Sequence, residues 1–172
     1  MAKEIEVKIL EINLKKLKNI LKDKKAKLVM KSNLQGNYFY SIPEIEDKGV
    51  IRLRKDNGGQ TIAIKSKLKF SNGHKITKEF ETKVENIKEI IAGLEILGFK
   101  EIGCVELIRE DWKLNKCIIS LVKMPKIPYY VEIEGTKKNI LTVAKLFGYS
   151  EKDYYPEMIY AKYGIKTKFL RF

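Results

Sequence analysis

Between Ala2 and Leu10 the chain alternates strictly: Glu4, Glu6 and Lys8 fall on one side of an extended backbone, and Ile5, Val7 and Ile9 on the other. Only a strand, whose side chains repeat every two residues, separates these groups into one dry and one charged face; a helix would scatter them. The pattern recurs along the chain. Val50 to Lys55 places Arg52 and Arg54 on one face, and Thr61 to Lys67 places Lys65 and Lys67 together. His74 to Val84 aligns Thr77, Glu79, Glu81 and Lys83. The segments Gly103 to Leu114 and Cys117 to Lys123 follow, the first with Arg109 and Asp111 on the same side, and Tyr129 to Gly135 aligns Glu132 with Glu134. A further strand spans Lys27 to Ser41 and carries Gln35, Asn37, Tyr38 and Tyr40.

Like charges two residues apart are costly on a flat sheet unless neighbouring strands supply the opposite sign. Two arrangements meet that condition. In one, the charges form salt-bridge ladders across an exposed sheet. In the other, the strands curl into a barrel with a polar lumen, lined by Glu4, Glu6, Glu79, Glu81, Glu132 and Glu134 together with Lys8, Arg52, Arg54, Lys65 and Arg109. Clustered carboxylates bind hard divalent cations, and guanidinium or ammonium groups bind phosphate oxygens, so both sets in one cavity suit a metal–triphosphate complex.

The distribution of arginine sharpens this choice. Of four arginines, three (Arg52, Arg54 and Arg109) lie in predicted strands, whereas thirty-one lysines are scattered along the chain. Arginine cannot be deprotonated and grips an anion with a planar fork, so its sparing use marks anion binding unless these residues simply face solvent on edge strands.

Amphipathic helices separate the strands. Leu14, Leu17, Ile20 and Leu21 form one apolar stripe; Ile87, Ile90, Ile91, Leu94 and Leu97 form another, ending at Gly98. A third helix runs from Lys137 to Phe147, capped by Thr136 and stopped by Gly148, and Pro156 is expected in the first turn of a short helix reaching Tyr163. Asp56, Asn57, Gly58 and Gly59 supply a hairpin turn, and Ser71, Asn72 and Gly73 another turn.

At 172 residues and 44% hydrophobic, the chain reads as one domain over 1–172, with 150–172 a C-terminal helix and tail. No apolar run approaches the length of a membrane span and no signal-peptide pattern follows Met1, so a cytoplasmic location is expected. The net charge of +13 invites polyanions, but the lysines are dispersed and no nucleic-acid-binding motif is present, so no specific nucleic-acid partner is expected. Cys104 and Cys117 lack metal or disulfide spacing and read as core thiols, while His74, the single histidine, receives no role.

The opening Glu4-Ile5-Glu6-Val7-Lys8 resembles the ExExK signature of the CYTH superfamily, the triphosphate tunnel metalloenzymes. Further motifs follow in the family's order: Arg52-Leu53-Arg54 is similar to its RxR strand, Ile62-Ala63-Ile64-Lys65 to its LTxK strand, Lys78 through Glu81 to its basic-and-acidic strand, and Val131-Glu132-Ile133-Glu134-Gly135 to its closing ExE strand. Chain length and the stretch Leu94 to Arg109 look most similar to the class IV adenylyl cyclase branch.

The resemblance implies an α+β fold: an eight-stranded antiparallel β-barrel, the triphosphate tunnel, with helices packed outside. It makes Lys8, Arg52, Arg54, Lys65 and Arg109 triphosphate ligands, and Glu4, Glu6, Glu132 and Glu134 ligands of Mg2+ or Mn2+. Glu4, Glu6 and Lys8 become the catalytic set, with Lys78, Glu79 and Glu81 in support. The activity implied is conversion of ATP to cyclic AMP and pyrophosphate; the alternatives are hydrolysis of tripolyphosphate, thiamine triphosphate or a nucleoside triphosphate, and binding of a nucleotide or polyphosphate without turnover. Tyr38, Phe39, Tyr40 and Tyr130 are candidates to stack a base. Two positions depart from the family: Leu107 stands where a lysine is usual, and Val122 where an aspartate is usual. A homodimer is among the possible states, and the C-terminal Lys166 to Phe172 is placed either against a partner subunit or over one tunnel mouth.

Overall fold

A computed structural model describes residues 2–172, with Ala2 and Lys3 described by their backbone alone. Strands β1 (Ala2–Ile9), β2 (Lys27–Ser41), β3 (Gly49–Asp56), β4 (Gly59–Ser66), β6 (His74–Val84), β7 (Lys100–Leu114), β8 (Cys117–Met124) and β9 (Ile127–Glu134) form a closed ring. The order around it is β1-β9-β8-β7-β2-β3-β4-β6, and β6 pairs back to β1. Every pairing in the ring is antiparallel. The expected eight-stranded barrel is therefore present, and the alternative of an exposed flat sheet is excluded.

Local chemistry explains the tight connections. Asn115 and Lys116, at φ 50° and 59°, form the two-residue link between β7 and β8. Both adopt the left-handed conformation that matches the twist of a hairpin. At the β3–β4 turn the Gly58 amide donates to Asp56 Oδ1 at 2.7 Å, and Gly59 takes φ +125°, a region that a side chain would strain.

Helices α1 (Leu14–Asp23) and α3 (Lys137–Leu146) cover the outer faces of β1, β8 and β9. Their N-caps are Asn13 and Thr136, each accepting from the backbone amide three residues on. Between helices and sheet lie the fully buried Leu17, Leu21, Ile119, Ile133, Ile140 and Val143. At about 1.5–3 kcal/mol for each large aliphatic side chain taken from water, this layer is the main source of stability for that wall. Helix α2 (Ile87–Ile96) covers Ile51, Leu53 and Ile62 of the opposite wall. Among the described residues no helix is long and apolar enough to cross a membrane.

The C-terminal region departs from expectation. The helix foreseen from Pro156 to Tyr163 is only α4 (Ile159–Lys162). Upstream, Ser150 and Asp153 cap each other around a single 3-10 turn, after which the Tyr155 amide donates to Lys8 O at 2.8 Å and holds that stretch extended along the end of β1. Pro156 thus lies in the irregular passage before the helix begins. Two short strands escaped the sequence pattern: β5 (Lys69–Ser71), whose Ser71 the pattern assigns to a turn, and β10 (Phe169–Leu170). Strand β10 runs parallel to β7 at Cys104 and Val105, where β7 extends past its pairing with β8. The last residues are therefore fixed to the chain's own barrel.

A charged tunnel as the candidate active site

Strand alternation and the closed ring together turn Glu4, Glu6 and Lys8 of β1 toward the barrel interior, while Val7 and Ile9 enter the core under α1 and α3. Glu6, Lys8, Arg52 and Lys65 are all at least nine-tenths buried. Charges so far from water must be paired, and they are, in two connected series. In the first, Arg54 lies 3.6 Å from Glu81, Arg52 joins Glu81 at 2.5 Å and Glu79 at 2.6 Å, and Lys65 bonds Glu79 and reaches Glu4 at 3.3 Å. In the second, Lys75 and Lys8 both bond Glu6, at 2.7 and 2.9 Å. Lys8 then approaches Glu132 at 3.8 Å, Arg109 lies 3.4 Å from Glu132, and its Nε donates to Asp111 at 2.7 Å. Ser120 Oγ accepts from the same guanidinium at 2.7 Å, so Arg109 is fixed in direction from three sides.

Neutralisation is uneven, and the imbalance has a chemical meaning. Burial pushes the Glu4 carboxyl up to about 7, helped by its hydrogen bond to Glu79 and only partly opposed by Lys65. Glu79 moves the other way, to about 2: burial opposes its charge, but the hydrogen bond from Glu4, Arg52 and Lys65 prevail. Burial likewise resists the charge on Glu6, and the ammoniums of Lys8 and Lys75 hold it well below the usual carboxylate range. Glu134, which has no ion-pair partner among the described residues, is raised by burial and by Glu6. Arg54 is lowered by burial and by its neighbour Arg52. One side of the lumen thus holds Glu134, without an ion pair among the described residues, and Glu4, which shares the ammonium of Lys65 with Glu79; another holds Arg54, 3.6 Å from a Glu81 already bonded to Arg52. Arg52 Nε and Thr61 Oγ1 are buried without a hydrogen-bond partner. These deficits fit a divalent cation and an anion taken up together.

The oxygen-only donors suit Mg2+ or Mn2+. Among the described residues no three acidic, imidazole or thiol groups gather closely enough to make a ready cage, because Glu6 and Glu132 are drawn to lysine and arginine. Binding of a cation at the four glutamates therefore requires some of these ion pairs to open.

The remaining candidates divide. Glu79 and Glu81 belong to the first series, but Lys78 sits between lumen-facing Thr77 and Glu79 and is exposed on the outer face. Lys75, of the same parity as Thr77, Glu79 and Glu81, takes the interior place instead. Extending that alternation back by two residues would have found it. Asn37 is a second residue the motifs passed over: its Oδ1 accepts from Arg54 Nε at 3.4 Å and from Gln35 at 3.2 Å. Of the aromatic candidates, Tyr38 and Tyr40 pack outside the barrel beneath α2. Phe39 faces Arg52 across the β2–β3 ladder, and Tyr130 donates its hydroxyl to Met124 Sδ at 3.1 Å.

Leu107 and Val122 are both buried in one apolar cluster with Val105, Met124, Tyr130, Ile159 and Leu170, against which Phe39, Tyr160 and Tyr163 also pack. The two departures from the expected pattern thus fall in the same cluster. Where a lysine and an aspartate would need each other or a ligand, two apolar side chains pack against the C-terminal segment. Lys123 is of opposite parity to Val122 and donates to Ile127 O at 2.5 Å, and Asp111 is engaged by Arg109. Neither replaces the missing pair.

The family model for the CYTH domain matches residues 2–159. No curated protein matches the chain. Among solved structures, PH1012 from Pyrococcus horikoshii is 27% identical, with 91% of this chain and 96% of that one covered and a TM-score of 0.76. A candidate adenylate cyclase from Vibrio parahaemolyticus is 18% identical over 90% of this chain and 94% of that one, with a TM-score of 0.76. HpAC1 from Hippeastrum, in which a triphosphatase activity is dominant, is 16% identical over 95% and 96%, with a TM-score of 0.67.

Proposed function

The chain belongs to the CYTH domain family, and from that premise we propose that it is a metal-dependent triphosphatase, cleaving the terminal phosphoryl group of a triphosphate held in the tunnel. The observation that carries this reading is the uneven neutralisation of the lumen, with too little positive charge on one side and too little negative charge on the other: Glu134 has no ion-pair partner among the described residues and Glu4 shares the ammonium of Lys65 with Glu79, while Arg54 reaches Glu81 only at 3.6 Å and Arg52 Nε has no hydrogen-bond partner. A metal–triphosphate complex supplies both.

In this reading Lys8, Arg52, Arg54, Lys65 and Arg109 grip the phosphate oxygens, and Glu4, Glu6, Glu132 and Glu134 hold Mg2+ or Mn2+. When bound, the ion supplies Lewis-acid neutralisation of the phosphate charge. The residues do the rest by position. Arg109 is oriented before substrate arrives by Asp111 and Ser120, neither of which is assigned to the ion, so it stabilises developing charge with its direction already set. Water attacks the terminal phosphorus, the bridging P–O bond breaks, and the water's proton passes to the departing phosphate oxygen, so that orthophosphate and the shortened polyphosphate are released.

Cyclisation of ATP is the second reading, and one observation favours it: Phe39 lies on the lumen side directly across from Arg52, where an aromatic ring can stack a base beside the phosphates. It ranks lower because Tyr38 and Tyr40 lie outside the barrel and Tyr130 is committed to the apolar cluster. Incubation with tripolyphosphate, thiamine triphosphate and ATP, each with Mg2+ or Mn2+ and again with excess EDTA, separates the readings. Metal-dependent orthophosphate supports the triphosphatase, and cyclic AMP with pyrophosphate selects the cyclase. Saturable binding without products removes the enzyme reading.

A further inference from the structure

Lys75 stands directly across from Glu6 at the β1–β6 closure of the barrel. Its ammonium lies 2.7 Å from Glu6 Oε1, and its side chain is 16% exposed. Glu6 therefore carries two ammoniums, the other being Lys8 at 2.9 Å. The two lysines differ in what else they can reach. Lys8 has Glu132 at 3.8 Å, whereas Lys75 has no second carboxylate within ion-pair distance among the described residues, and the next charge it acts on is Glu4, itself assigned to the ion. Lys65, for comparison, is shared between Glu4 and Glu79, and Arg52 between Glu79 and Glu81.

Glu6 is one of the carboxylates assigned above to the divalent ion. Two ammoniums and a divalent ion cannot all sit on one buried carboxylate, because like charges in contact away from water repel strongly. Lys8 is already assigned to the phosphate oxygens. Lys75 loses its one direct ion pair, and a largely buried ammonium without a partner is costly. An anionic oxygen from the ligand restores the pairing.

We propose that Lys75 is a sixth triphosphate-binding cation, parked on Glu6 in the metal-free tunnel and handed to a phosphate oxygen when the divalent ion takes Glu6. This inference rests on the proposed function and deepens it: metal and triphosphate become coupled through one side chain, each making room for the other. Its signature is a pair of opposite effects. Removing the ammonium relieves competition for Glu6 and tightens metal binding, yet deprives the triphosphate of one charge-assisted hydrogen bond.

The test is calorimetric titration of the full chain with Mn2+ alone, and then with diimidotriphosphate, whose P–N–P links resist hydrolysis, at saturating Mn2+. Wild type is compared with Lys75→Met, Lys75→Gln, Lys75→Arg and, as a control on the outer face of the same strand, Lys78→Ala. Both neutral variants are expected to bind Mn2+ several-fold more tightly and the analogue about tenfold more weakly, the scale of one charged hydrogen bond. Lys75→Arg restores analogue binding, and Lys78→Ala matches wild type. Unchanged analogue affinity in the neutral variants, or weaker Mn2+ binding, overturns the role of Lys75 while leaving the tunnel reading intact. Wild-type protein that binds neither ligand overturns the tunnel reading itself.

Discussion

Replacing Glu4 by glutamine is expected to stabilise the metal-free protein at alkaline pH while abolishing metal-dependent turnover. Burial and the hydrogen bond to Glu79 raise the Glu4 carboxyl from its ordinary 4.5 to about 7. In the folded protein this group keeps its proton between those two values, whereas in the unfolded chain it has lost it. Where the folded state holds more protons, stability falls as pH rises, so the loss runs from about pH 4.5 to 7 and is complete above. At about 1.4 kcal/mol for each tenfold in proton affinity, the metal-free fold gives up roughly 2.5 kcal/mol at Glu4 between pH 5 and pH 8. Glutamine stays neutral throughout, and its amide can donate to Glu79 as the protonated acid does. Lys65 keeps Glu79 as its partner. The depressed Glu79 contributes its own pH dependence from about 2 to 4.5, below this window. Urea unfolding of EDTA-treated protein at about pH 5 and pH 8 measures the effect. Glu4→Gln is expected to match wild type at the lower pH and exceed it by about 2–3 kcal/mol at the higher. A variant less stable than wild type at pH 8, or one shifted equally at both, refutes the reasoning.

Three further outcomes follow from the same geometry. Arg54→Ala is expected to weaken binding of a non-hydrolysable triphosphate by about 1.5–3 kcal/mol, the worth of a hydrogen bond to a charged group, as read by calorimetry; unchanged affinity removes Arg54 from the site. Glu132→Gln takes a counter-ion from both Lys8 and Arg109 and is expected to abolish metal-dependent product release, with wild-type rates removing that carboxylate from the mechanism. Leu170→Ala opens a cavity where β10 enters the apolar cluster, and is expected to cost about 2–4 kcal/mol in urea unfolding; a loss under about 0.5 kcal/mol would mean that the tail is not anchored as described.

Much of the barrel was legible because strand periodicity and turn chemistry are local. The spans of β2 and β6 follow directly from alternation between turns, and the lumen-facing parity of Glu4, Glu6, Arg52, Arg54, Glu132 and Glu134 needs only counting by two. Which carboxylate meets which cation was not legible. Lys8 pairs with Glu6 on its own strand and Lys65 with Glu79 across a ladder because of the stagger between strands, which no single segment encodes. Tyr38 and Tyr40 likewise could not be placed until the parity of β2 was fixed by its partners, which turns Asn37 and Phe39 inward. The short strands β5 and β10 lack enough residues to show a period, and β10 exists because β7 outruns β8. The positions of Leu107 and Val122 reveal their meaning only in space, where both join the cluster that receives Ile159 and Leu170.

The central claim, that the tunnel's acidic and basic walls take up a metal–triphosphate complex, is tested most directly by diffraction from crystals grown with Mn2+ and diimidotriphosphate, recorded for manganese anomalous scattering. The account predicts manganese among Glu4, Glu6, Glu132 and Glu134, with phosphate density against Arg52, Arg54, Lys65 and Arg109. Manganese and phosphate found only on the outer surface, with the Glu6–Lys8 and Arg52–Glu79 pairs intact inside, would contradict it.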